Sequence, residues 1–450
     1  MELLIKNGLV IDPANQVYSK LNLLARDGRV EGLSRKEPPC ERVIDAEGMC
    51  VCPGFIDIHM HEDPYDEARG EFAVSISDCM LRMGVTTVIG GNCGINVLDP
   101  ARYLELVDQK GLPVHVGLMA GHTFMREKAG CRDKYAGITE AQLETVKGYL
   151  QESLDAGCFG ISYGIRYVPG IDRRELHETA ALCKRDDRII SAHVRDDAEY
   201  IFESVLELLE AGEAHGLPVE VSHIGSMGGY GQMRELLAMI DARRANGLRV
   251  SCDCYPYYAF STRIGETTYD EGFLERYQSD YSCIELCEGP YKGQRCTKEI
   301  FDELRTHAPR TITVGHVMKP EDVDMALLHP GVMVASDGLM DAGQGHPRAA
   351  GTFPRFFNQY VSTGRISLHE GIAKMTSMQA EKLGLRQKGR LNAGADADIV
   401  IFDPSAMKDQ ATFQEPAAGP SGIRYVLIGG ETAVENGVIV NHKLGRALRK

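Results

Sequence analysis

No stretch of the chain runs for 18 apolar residues, so no helix is expected to span a bilayer. Basic clusters are missing too. The 49 Lys and Arg are scattered and outnumbered by 64 Asp and Glu, leaving a formal charge of −15. Nothing in that balance would displace phosphate counterions, so neither nucleic acid nor an anionic membrane is an expected partner. Cysteine shows no framework: 13 thiols, an odd number, are spread thinly without regular spacing. They read as reduced thiols, mostly packed inside, with one or two chemically employed. Residues 1–8 hold neither a basic segment nor a long apolar one, so no secretory leader is expected and the expected setting is cytoplasmic. Repeats and low-complexity tracts are absent as well.

What is present has the balance of an ordinary globular protein, with 43% hydrophobic and 25% charged residues. At 450 residues the chain holds two or three domains, or one large α/β barrel with an accessory module. The two ends read as short strands and turns. Asn7-Gly8, Asp27-Gly28, Gly429-Gly430 and Asn436-Gly437 punctuate apolar runs such as 398–402 and 425–428. Residues 1–52 and 394–450 are therefore expected to pair into one small β-sandwich domain. Between them the rhythm changes. Short apolar runs alternate with amphipathic stretches at 139–156, 199–215 and 233–245, as parallel strands covered by helices do. Strands at 55–59, 85–90, 114–120, 159–163, 188–193, 219–223, 250–254 and 332–337 predict a (β/α)8 TIM barrel over 53–393. An insertion is expected at about 259–330, within which 311–314 is a rival strand.

Metal-competent residues recur at the carboxyl ends of these strands: His59 and His61, Asn92 and Cys93, His193, His223, and Asp337. A barrel gathers such ends around one mouth. His59 and His61, two apart on a strand, share a face. Each residue also has a plain structural reading: a hydrogen-bonded histidine, a helix N-cap for Asp337, a small buried hydrophobe for Cys93. Histidines at several equivalent positions make chance a poor explanation. The pairs Cys50/Cys52 and Cys252/Cys254 lack matching partners and are expected to pack inside.

Several motifs carry a resemblance. They are Pro53-Gly54-Phe55-Ile56-Asp57-Ile58-His59-Met60-His61, Gly91-Asn92-Cys93-Gly94, Gly121-His122-Thr123-Phe124-Met125-Arg126 and Tyr255-Pro256-Tyr257. Ser336-Asp337-Gly338, His346-Pro347-Arg348, Gly351-Thr352-Phe353 and Lys388-Gly389-Arg390-Leu391 through Asp398 follow in order. The chain resembles the amidohydrolase superfamily and, within it, the D-aminoacylase (N-acyl-D-amino-acid deacylase) group. The resemblance implies a small-molecule substrate, an N-acyl amino acid of D configuration, whose amide is cleaved by metal-activated water with Asp337 as general base and acid. It implies one tightly bound Zn2+ on Cys93, His193 and His223, with His59 and His61 holding a second, weaker metal or lining the site. Relatives outside the group use a lysine on strand four, and 159–163 has none, in keeping with a ligand role for Cys93. Arg348 and Tyr167 would grip the substrate carboxylate, with Tyr257 a weaker candidate, and His122 or Tyr255 would meet the developing oxyanion.

One departure stands out. The group often reads Ser-His-His-Lys at strand six, where this chain has Ser222-His223-Ile224-Gly225, which leaves Arg166 and Arg195 as compensating cations. Two other readings stay open. A cyclic-amide hydrolase (hydantoinase, dihydropyrimidinase or dihydroorotase) is opposed by the missing lysine and the Gly91–Gly94 motif. A non-catalytic relative is opposed by the retention of every candidate ligand and carboxylate. Monomer and homo-oligomer are both compatible with the sequence.

Overall fold

The computed structural model describes residues 2–341 and 343–450. Both ends of the chain build one pair of sheets. A four-stranded sheet runs in the order Arg29–Ser34, Asn22–Arg26, Glu2–Lys6, Arg42–Asp45. A seven-stranded sheet runs Val438–Ile439, Glu431–Glu435, Ile423–Ile428, Ile399–Phe402, Cys50–Pro53, Leu9–Asp12, Val17–Lys20. Antiparallel pairing of Val51 with Ile401 joins the N-terminal and C-terminal contributions directly. Leu3, Ile5, Leu23 and Val30 of the first sheet share a core with Val10, Val51, Ile399, Ile401 and Leu427 of the second. Three of the turn signals act as hairpin turns. Asp27-Gly28, Gly429-Gly430 and Asn436-Gly437 each place both residues at positive φ (50° and 81°, 56° and 78°, 51° and 78°), the twist a two-residue hairpin needs.

The middle of the chain forms parallel strands in sequence order. Phe55–Asp57, Val85–Gly90 and His115–Leu118 pair side by side. After Met119, Ala120–Gly121 pairs onward to Gly160–Gly164, Ile189–His193, Val219–Val221, Val250–Cys254 and Val332–Val334. The last strand returns to the first: the Asp337 N–H donates to the His59 carbonyl at 2.8 Å, and the His61 N–H to the Gly338 carbonyl at 2.9 Å. Helices lie between the strands, and the three amphipathic stretches form Glu140–Asp155, Ile201–His215 and Met233–Ala245. Thr139 caps the first of these in a reciprocal box with Gln142. Among the described residues no helix is long and apolar enough to cross a membrane.

The stretch 311–314 is not a strand of this ring. Ile312–Gly315 is the central strand of a separate antiparallel sheet, between Phe260–Arg263 and Ile284–Leu286, inside the insertion. Its partners on both sides are local, so its apolar pattern is satisfied within the insertion.

The tail motif beginning at Lys388 ties the terminal sheets to the ring. Lys388 Nζ lies 2.5 Å from Asp398 Oδ2 and 2.9 Å from Asp396 Oδ2. Asp398 also faces His115 Nε2 of the third strand at 3.5 Å and accepts from the Gly429 N–H at 2.9 Å. Burial alone would push the Asp398 carboxyl up, but the Lys388 ammonium outweighs it and holds the group well below the usual carboxylate range. Removing one partner of a buried pair strands the other charge. Lys388→Met is expected to destabilise the protein by about 3–5 kcal/mol, read as a lowered midpoint in thermal unfolding; an unchanged midpoint would mean that the pair contributes nothing.

Candidate metal centre

The site is assembled just past the ends of the parallel strands, where the chain leaves each strand and turns. Cys93, His223 and Asp337 all sit at positive φ (53°, 35° and 49°), a conformation unusual for residues with a Cβ. Neighbouring bonds hold each in place. Asn92 Nδ2 donates to the carbonyls of Ile89 and Ile58, at 2.9 and 3.2 Å. The His223 N–H donates to Asp253 Oδ1 at 2.9 Å, and Asp337 is fixed by its bond to the His59 carbonyl. A Cβ at Gly164 would come within 2.2 Å of the Cys93 carbonyl, so only glycine lets the fourth strand approach this loop.

These turns bring His59, Cys93, His223 and Asp337 together, with one potential ligand atom of each within 4.8 Å of the others. Cys93 Sγ lies 3.4 Å from His59 Nε2 and 3.5 Å from His223 Nε2. His59 Nε2 and His61 Nε2 lie 3.4 and 3.3 Å from Asp337 Oδ1. His193 stands beside the group, its ring centroid 4.5 Å from that of His223 and its Nδ1 buried without a hydrogen-bond partner. The donor chemistry and spacing suit a tetrahedral ion: bonds of ~2.3 Å to sulfur and ~2.0–2.1 Å to nitrogen place S and N about 3.5 Å apart.

Both imidazoles are oriented for this. His59 Nδ1 faces Asp253 Oδ2 at 3.1 Å, which keeps the proton on Nδ1 and leaves the Nε2 lone pair toward Cys93. Ser226 Oγ donates to the His223 carbonyl at 3.0 Å and is left to accept from His223 Nδ1 at 3.1 Å, with the same result. Burial pulls the His59 and His223 imidazoles down to about 4, so both are neutral and able to ligate. Burial also pushes the Cys93 thiol well above its usual range, and Asp337 adds to the effect. A cation entering here must displace that proton. Burial opposes ionisation of Asp337 too, yet the Arg348 guanidinium, with Nη1 2.9 Å from Asp337 Oδ2, outweighs it and holds the carboxyl well below the usual range.

The other candidates divide. Arg348 is buried at the site and lies over the Tyr255 ring, 4.7 Å from its centroid. Tyr167 packs on His193 with ring centroids 4.5 Å apart. Two further candidates have partners of their own. His122, fully buried at the start of helix His122–Lys128, has its Nε2 3.2 Å from Glu175 Oε1, in a network that also binds Arg126. Tyr257 donates to the Pro347 carbonyl at 3.3 Å and packs edge-on against His346, so it props the start of helix Arg348–Phe356. Of the two compensating cations, Arg195 is occupied by Glu207 at 2.6 Å. At Gly225 a Cβ would come 2.7 Å from Cys254 Sγ, so that position has no room for a cationic side chain.

Asp253 and Ser226 were not foreseen. Asp253 lies between the cysteines Cys252 and Cys254, and its only sequence signal is a carboxylate on a strand otherwise buried. Asp57, the carboxylate of the Pro53–His61 motif, is a further bracing group. Its Oδ1 accepts from the N–H groups of His59 and Ser336, both at 3.1 Å, across the seam between the last and first strands.

Two models described as Amidohydrolase family match the chain, over residues 50–272 and 325–434. A D-aminoacylase of Alcaligenes xylosoxydans xylosoxydans is 30% identical over all of this chain and 98% of the relative. An N-acyl-D-aspartate deacylase from the same organism is 31% identical over 95% of this chain and 91% of the relative. Among solved structures, the N-acyl-D-glutamate deacylase of Bordetella bronchiseptica, complexed with zinc and a phosphonate inhibitor, superposes with a TM-score of 0.88. It is 29% identical, and the match covers 100% of this chain and 99% of that one. Likeness that runs end to end at this level, over a mixed α/β fold, makes the chain a member of the amidohydrolase superfamily, in its D-aminoacylase (N-acyl-D-amino-acid deacylase) group.

Proposed function

We propose that the protein is a zinc-dependent hydrolase that cleaves the amide bond of N-acyl-D-amino acids. The observation that carries this reading is the approach of Cys93 Sγ to the Nε2 atoms of His59 and His223, at 3.4 and 3.5 Å. We read the parallel strands as a closed (β/α)8 barrel with the site at its carboxyl mouth, and the terminal sheets as a β-sandwich. Cys93, His193 and His223 are assigned to a tightly held Zn2+, and His59 with His61 to a second, weaker ion. Bound there, zinc supplies Lewis acidity and lowers the pKa of water from 15.7 to ~7.

The remaining chemistry belongs to the side chains. Asp337, between two histidines, takes a proton from the water that adds to the carbonyl carbon. It returns that proton to the amine nitrogen as the C–N bond breaks, so a carboxylic acid and a D-amino acid leave. The ion pair with Arg348 keeps Asp337 ionised between turnovers. Tyr255, whose hydroxyl is buried without a hydrogen-bond partner, donates to the carbonyl oxygen as it gains charge. Arg348 and Tyr167 face the substrate carboxylate. Ring opening of a cyclic amide is not favoured, since strand Gly160–Gly164 offers no lysine. The free state of all 13 cysteines supports a reducing, cytoplasmic setting.

Amine release from a panel of N-acetyl-D-amino acids, their L enantiomers and hydantoins tests the assignment: the D acyl compounds should be cleaved, and ring opening without deacylation would overturn it. Asp337→Asn should retain zinc but lower kcat by about 10²–10⁴-fold; an unaffected rate would remove Asp337 from the proton path. Cys93→Ala should purify with little zinc by elemental analysis, whereas a full complement would take the thiolate out of the ligand set.

A further inference from the structure

A buried substrate carboxylate needs a cation within reach, and some nearby arginines are already engaged. Arg348, placed above at that carboxylate, pairs through Nη1 with Asp337 and keeps a buried Nε without a hydrogen-bond partner. Arg195 gives Nε and Nη2 to Glu207 and its remaining donors to the carbonyls of Pro169 and Ile171. Arg276 Nε lies 2.8 Å from Asp197 Oδ1.

Arg166 differs. It sits on the turn after strand Gly160–Gly164, next to Tyr167, whose ring packs on His193. Arg166 is only 8% exposed, yet its Nε has no hydrogen-bond partner. Nη2 donates to the Thr267 carbonyl at 3.3 Å, and Thr267 Oγ1 donates back to the Arg166 carbonyl at 2.5 Å. The insertion thereby clamps this turn from above. Arg166 Nη1 pairs with Asp196, the third residue after His193, whose side chain is 33% exposed.

We infer that Arg166 is a carboxylate anchor of the substrate pocket, kept neutralised by Asp196 until the substrate carboxylate takes the place of that side chain. The inference rests on the deacylase reading above. The exchange swaps one anion for another, so the buried guanidinium is never left without a counter-charge. An uncharged substrate cannot make the exchange and gains nothing from Arg166. Asp196 opposes binding and Arg166 favours it, so removing either charge should shift affinity in opposite directions.

The test is steady-state kinetics on the best N-acetyl-D-amino acid of the panel and on its α-carboxamide, the latter as substrate or as competitive inhibitor. Arg166→Gln should raise KM for the acid by about 10- to 100-fold and leave the constant for the amide unchanged, which also shows that the variant is folded. Asp196→Asn should lower KM for the acid without affecting the amide. Equal changes for acid and amide would mark a structural role and overturn the anchor, as would an unchanged KM for the acid in both variants. If the unaltered enzyme cleaves no N-acyl-D-amino acid, the deacylase reading fails and the anchor falls with it; if it cleaves the acid and the variants match it, only the anchor is lost.

Discussion

The seam where residues 336–338 meet residues 57–61 is the contact on which the rest depends. Two backbone hydrogen bonds and one carboxylate make it: Asp337 to His59, His61 to Gly338, and Asp57 bridging the N–H groups of His59 and Ser336. These bonds join residues almost three hundred positions apart and set Asp337 Oδ1 at hydrogen-bonding range of two histidines. Asp57 is fully buried, and burial pushes its carboxyl up to about 7. A polar group so placed is tolerable because it satisfies donors on both sides of the seam. Were the seam to open, Asp337 would leave His59 and the cluster would lose its acid–base group.

The centre concentrates unfavourable features that are offset locally. A thiol, three histidines, several carboxylates and a guanidinium are withdrawn from water within a small volume. Three of its residues hold left-handed backbone, each at a cost on the order of 1–3 kcal/mol. These groups have partners: Arg348 for Asp337, Asp253 for His59 and for the His223 backbone. The partners are directional, so they fix tautomers and ring orientation as well as charge. Preorganisation of this kind is what lets side chains from separate strands act on one substrate atom. The terminal sheets contribute by bracing the ring through Lys388 and Asp398.

Much of this was legible in the sequence, and the reasons for the rest are physical. The hairpin turns were readable because Asp-Gly and Asn-Gly meet a specific backbone need. Cys93, His223, His59 and Asp337 were readable because strand ends share one mouth when strands run parallel. The contact of His122 with Glu175 was not, because nothing near a histidine that follows a short strand says which distant carboxylate it will meet. Asp253 was hidden between two cysteines that drew attention to themselves. The Arg348–Asp337 pair was invisible because it depends on how helix Arg348–Phe356 returns over the site, which no local pattern encodes. The stretch 311–314 carried a strand signal correctly, but a strand signal does not say which sheet will accept it.

The central claim is that a thiolate and imidazoles from separate strands hold one zinc ion in the place where Cys93 meets His223, with His193 beside them. X-ray absorption at the zinc edge of the purified enzyme measures this most directly. The account requires one sulfur scatterer at ~2.3 Å beside nitrogen or oxygen at ~2.0–2.1 Å, with the sulfur contribution lost in Cys93→Ala. A first shell of nitrogen and oxygen alone in the unaltered protein would contradict it.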